Sequence, residues 1–136
     1  MERRALQIAI ALAGCVPVAG GAKGAWLGAR GFGAWPGGAA DSHFRYLSGL
    51  LLAIGVAYWA CIPAVERRGA LIRTLTAIVV AGGLSRLAGW LFLAGDPGPL
   101  RWALVMELGV APVLCLWQAR VAKGLDGRMD APRPPR

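Results

Sequence analysis

The sequence predicts an all-α protein, a four-transmembrane-helix bundle with both termini cytoplasmic. Three observations predict it: an apolar composition, four apolar runs near the length of a bilayer crossing, and basic residues gathered at the edges of those runs. Of 136 residues, 57% are hydrophobic and 16% charged, and the mean hydropathy is +0.53, too apolar for a soluble domain of this size. The net charge of +8 would suit nucleic acid only if the basic residues lined a helix face or interleaved with aromatics. They flank apolar runs instead, so nucleic acid is not an expected partner and the lipid bilayer is.

A helix needs about 20 mostly apolar residues to cross the hydrocarbon core. The predicted helices cover about residues 5–22, 43–65, 71–95 and 100–121. Tyr46 to Val65 and Ala5 to Ala22 carry no charge, the third run has Arg86 well inside it, and the fourth has Glu107. Together they make one module over residues 1–122, followed by a disordered basic cytoplasmic tail over 123–136.

Orientation follows from the basic residues. Arg3, Arg4, Arg67, Arg68, Arg73, Arg120, Lys123, Arg128, Arg133 and Arg136 share one side, against Lys23, Arg30, Arg45 and Arg101 on the other. The positive-inside rule puts the first group in the cytoplasm of a multi-pass protein of the bacterial inner (plasma) membrane. A rival start reads Leu12-Ala13-Gly14-Cys15 as a lipobox, with Cys15 lipidated after cleavage. The apolar residues from Val16 to Ala22 count against it, because an exported lipoprotein usually turns polar there.

Lys23 to Ala40 is glycine-rich and carries Trp26, Phe32 and Trp35, which suits a loop along the outer interface, with a binding lid as the alternative. Glu66 to Gly69 reads as a tight cytoplasmic turn, and Asp96-Pro97-Gly98-Pro99 as an outer one. The ending from Ala131 to Arg136 reads as disordered and in contact with anionic lipid. Pro17 is expected to kink the first helix and Pro112 to loosen the fourth near Leu108, four residues earlier. Gly49, Ala53, Ala57 and Cys61 on the second helix, and Gly82, Gly83 and Gly89 on the third, would let other backbones approach closely.

Arg86 lies three or four residues from each of the last three glycines, and a charge so placed needs a partner in hydrocarbon. Insertion of each such charge costs about 2.5–3.5 kcal/mol. Arg86 sits about 13 Å below the outer end of its helix and Glu107 about 11 Å below the start of the next. The matched depths predict an Arg86–Glu107 ion pair.

A second polar group opens the second helix. Asp41-Ser42 reads as its N-cap, and Asp41 precedes Arg45 by four residues in the favourable order for an ion pair. Two readings stay open: capping and pairing alone, or a positive outward-facing pocket in which the helix N-terminus, His43 and Arg45 take an anion or lipid headgroup. The candidate ligand-binding residues are therefore Asp41, Ser42, His43, Arg45, Arg86 and Glu107.

Other chemistry is thin. His43 is the single histidine, and no Cys-x-x-Cys or His-rich spacing would hold a metal, so no metal and no cofactor is expected. Cys15, Cys61 and Cys115 fall on different helices and read as small apolar residues. No phosphate loop, nucleotide fingerprint or nucleophile elbow is present, and catalysis is unsupported.

Several stretches carry a resemblance: Leu6-Gln7, Gly14 through Pro17, Asp41 through Gly55, Ile62-Pro63 with Glu66-Arg67-Arg68, Gly82 through Leu87, and Met106-Glu107 to Pro112. Across Leu6 to Ala122 the chain resembles an uncharacterised family of four-helix bacterial inner-membrane proteins, domain of unknown function 4345. The resemblance implies four spans in one module and brings no activity, substrate or cofactor. A looser likeness to DoxX-type four-helix membrane proteins is architectural only.

Two classes of function remain. In one, the candidate residues line an outward-facing polar site that binds a small anion or lipid headgroup. In the other, the chain is a structural or accessory membrane subunit whose charges lock the bundle, in a homo-oligomer or against a partner membrane protein.

Overall fold

In the computed structural model, which describes residues 1–35, 37–92 and 100–129, every regular element among those residues is helical. α1 spans Glu2–Leu27 and runs on into a 3₁₀ turn, Gly28–Phe32; α2 spans Gly38–Cys61, followed by a 3₁₀ turn at Ile62–Ala64. α3 spans Gly69–Phe92, and the last stretch is α4, Leu100–Val105, a π turn at Met106–Val110, and α5, Ala111–Met129. Among the described residues four stretches are long and apolar enough to cross a membrane: Glu2–Phe32, Gly38–Ala64, Gly69–Phe92 and Arg101–Gly124. This is a multi-pass membrane architecture. The turn read at Asp96 to Pro99, the end of the third helix at Gly95 and the tail from Ala131 lie outside the described residues.

The outward surface agrees with a lipid solvent. Leu12, Trp102 and Leu116 each leave two-thirds or more of their surface open, at 67%, 76% and 71%. Such residues scattered along all four stretches would drive aggregation in water, whereas a bilayer covers them.

Two compact units divide the chain, one formed by Ile10–Ile62 and the other by Met1–Ala9 with Pro63–Arg136. Within the first, α1 and α2 run in opposite directions with a repeat of seven. A side chain at Gly14 would strike the Trp59 ring, one at Gly21 would come within 2.5 Å of the Leu52 backbone nitrogen, and one at Gly28 would strike Asp41 and Arg45. Trp59, Leu52 and Arg45 are likewise seven apart, in reverse order, as two helices meeting along a heptad seam require. Trp59 Nε1 also donates to the Ala11 carbonyl at 3.1 Å. Of the stripe expected to let another backbone approach, Gly49 has open space above it and Ala53 is exposed, while Ala57 is half-buried and Cys61 buried.

In the second unit α3 lies against the π turn and α5. Ile72, Leu75, Leu104, Leu114 and Val121 are buried, as is Leu6. Gln118, 1% exposed, donates from Nε2 to the Val65 carbonyl at 3.0 Å. Arg3 Nη2 donates to the Pro63 carbonyl at 2.9 Å, and its Nε to Glu66 Oε2 at 2.9 Å. These bonds hold the turn before α3 from two directions.

The prolines act differently from each other. α1 continues as one helix through Pro17. Pro112 has no N–H for the Leu108 carbonyl, and the helix just before it widens into the π turn, where the Ala111 N–H bonds the Met106 carbonyl. The helix ends also differ from those read from hydropathy. α1 reaches Leu27 and α2 begins at Gly38, so the interfacial loop shrinks to a 3₁₀ turn and a short link. α5 runs to Met129, into the stretch read as a disordered tail.

Candidate functional site

The structure joins Asp41 to Arg45 in one unit and Arg86 to Glu107 in the other. The first pair is built on α2, whose N-cap is Gly37 and not Asp41-Ser42, and no side chain bonds the cap. The physical reason lies across the connection. Asp41 Oδ1 accepts the Ala29 N–H at 2.9 Å and Oδ2 accepts Arg45 Nε at 2.8 Å, so its carboxylate serves the turn after α1 instead of its own helix end.

Arg45 completes the arrangement. Its Nη1 donates to the carbonyls of Ala25 at 3.1 Å and Trp26 at 2.6 Å, the last turn of α1. Those carbonyls lie in the last turn of α1, at the negative end of the helix dipole, so a guanidinium there is favourable. Gly28, at φ +65°, lies directly beneath the pair. Its backbone conformation suits glycine, and no side chain would fit. Phe32 packs edge-on against Phe44 with ring centroids 5.6 Å apart, tying the 3₁₀ turn to α2. Ser42 and His43 are exposed, and His43 stacks on Tyr46 at 6.5 Å instead of joining Asp41 and Arg45.

The second pair lies between α3 and the π turn. Arg86 Nε donates to Glu107 Oε2 and its Nη2 to Glu107 Oε1, both at 3.2 Å. This two-pronged geometry fixes orientation as well as charge. Gly83 makes it reachable: a Cβ there would come within 2.9 Å of the Glu107 Cβ and 2.8 Å of Leu108 Cδ2. Gly82 and Gly89 face open space and take no part.

Sequence reasoning missed Gly28, Gln118 and the Arg3–Glu66 pair. The first had a usable signal, since Gly14, Gly21 and Gly28 repeat every seven residues. Glu66 lies outside the four apolar stretches, and its hydrogen bond from Arg3 holds the carboxyl below its ordinary value of 4.5, with a backbone hydrogen bond assisting. Among the described residues no group of His, Cys, Asp or Glu is arranged to hold a metal ion.

No curated protein and no solved structure is significantly similar to the chain. The family model described as Domain of unknown function (DUF4345) matches residues 5–118, which takes in the Asp41–Arg45 and Arg86–Glu107 pairs and Glu66, but not Arg3, the partner of Glu66. With that much of its length matched, from the first apolar run to Gln118, the chain belongs to the DUF4345 family.

Proposed function

We propose that this protein is a structural or accessory subunit of the bacterial inner membrane, with both termini in the cytoplasm, whose membrane-embedded charges lock its helices together. The observation that carries the reading is the state of Arg45. Its Nε and Nη1 are engaged by Asp41 and two α1 carbonyls, which leaves the pair committed to the fold and not to an incoming anion. Arg86 and Glu107 are likewise committed to each other. The rival reading, an outward-facing anion or lipid-headgroup site centred on Arg45, would need the Nε and Nη1 donors that Asp41 and the α1 carbonyls already occupy.

Native mass spectrometry of the detergent-purified protein separates the two. The locking role gives wild-type protein with no retained small molecule, and an Arg45→Ala variant of unchanged bound mass but lower melting temperature. A small anion or lipid that travels with the wild type and is lost in Arg45→Ala would overturn it. Orientation is tested by C-terminal fusions: a cytoplasmic end makes green fluorescent protein bright and leaves alkaline phosphatase inactive.

A further inference from the structure

The Arg86–Glu107 pair is incompletely covered. Arg86 leaves 37% of its side chain open and Glu107 17%, although both lie well inside stretches apolar enough to cross the membrane. Arg86 spends two of its nitrogens on Glu107, and its Nη1 donates to no described residue. Hydrocarbon offers no acceptor for that nitrogen, and intramembrane charges face protein or water.

Beside Arg86 on α3, a seam repeats at three and four residues through Thr74, Ile78, Gly82, Ser85 and Gly89 to Phe92, half-buried at Gly89 and exposed at the others. This is the spacing of one helix face. Space is open above Gly82 and Gly89, and Ser85 turns its hydroxyl back onto the Ala81 carbonyl at 3.0 Å, leaving a smooth surface. Small residues at this spacing let a second backbone come close enough for dispersion to hold helices together in lipid.

From these two features together we infer that the protein pairs with a second copy of itself through this face of α3, so that each Arg86 also reaches the partner's Glu107. A two-fold axis makes the contact reciprocal, Arg86 to Glu107 and Glu107 to Arg86, so one patch complements itself in charge. The four charges sum to zero, and each guanidinium gains an acceptor for Nη1. The inference rests on the locking role proposed above and extends it from one chain to two.

Two measurements test it. In a chain with Cys15, Cys61 and Cys115 changed to Ala and all charges intact, Gly82→Cys should form an intermolecular disulfide in native membranes. Leu84→Cys, exposed on the opposite face of α3, should not. Crosslinking at Gly82 no greater than at Leu84 overturns the pairing.

The second measurement uses charge reversal in the same Gly82→Cys background with two affinity tags. Arg86→Glu and Glu107→Arg, each expressed alone, should lose the crosslink. Co-expressed, they should regain it as a mixed dimer, because one copy then carries two acids and the other two bases. Rescue of the crosslink by the double reversal in one chain but not by co-expression sinks the Arg86–Glu107 pairing between copies and leaves the locking role within a chain standing. Rescue by neither sinks both.

Discussion

Gly83 lies so close to Glu107 that a Cβ on the glycine would come within 2.9 Å of the glutamate's own Cβ. The missing side chain lets the π turn settle onto α3 and brings the carboxylate to Arg86. Its neighbour Gly82 faces nothing. Gly83→Val should therefore lower stability by about 1–3 kcal/mol, the usual cost of overpacking. Gly82→Ala should leave stability of the detergent-solubilised chain unchanged or raise it by roughly 0.5–1 kcal/mol through helix propensity. Thermal unfolding in a mild detergent checks both, and equal losses at the two positions would contradict the packing described.

Removing one partner of the Arg86–Glu107 pair strands the other in an apolar setting, while removing both strands neither. The Arg86→Gln/Glu107→Gln double variant should destabilise the chain by less than the two single variants do when summed. The coupling should be about 1–3 kcal/mol, the range for residues in direct contact. A double-mutant cycle by unfolding in detergent measures it, and simple additivity would mean that the pair contributes nothing.

Gly28 and Gly33 both have positive φ, at +65° and +80°, but only Gly28 has neighbours where its side chain would be. Alanine at either position carries the left-handed backbone cost of roughly 1–2 kcal/mol. At Gly28 it must also push aside Asp41 and the Arg45 guanidinium, releasing their hold on the end of α1. Gly28→Ala should lower the melting temperature clearly more than Gly33→Ala. Equal effects would show that the clamp adds nothing beyond backbone strain.

How far the sequence foretold these features depends on where their partners lie. The four apolar stretches were legible because hydrocarbon sets a minimum length, and the Arg86–Glu107 pair because two lone charges at matched depth have few alternatives. The entry to α2 was misread because the usual signal, Asp41-Ser42 before an apolar run, is local, whereas Asp41 answers to Ala29 and Arg45 to Ala25 and Trp26. Those partners are backbone groups, which carry no mark in the residue letters. Gln118 was overlooked for the same reason, since its bond goes to the Val65 carbonyl. The candidate site was thus legible pair by pair, while Ser42 and His43, drawn in by proximity in sequence, lie exposed on other sides of α2.

Acid should reveal the Arg3–Glu66 contact. Arg3 donates to both Glu66 oxygens, at 2.9 and 3.4 Å, and so favours the charged carboxylate in the folded chain. The folded carboxyl is then a stronger acid than its ordinary value of 4.5, and the unfolded chain binds more protons as pH falls past that value. The stabilisation is fully present above the unfolded value and disappears as pH drops through the lower folded one. Glu66→Gln should therefore melt below the wild type at pH 7, and the gap should begin to close as pH falls below about 4.5. Its size stays modest because Arg3 is 44% exposed and solvent screens the pair. A gap that persists unchanged into stronger acid would mean that Glu66 acts through its shape and not through its charge.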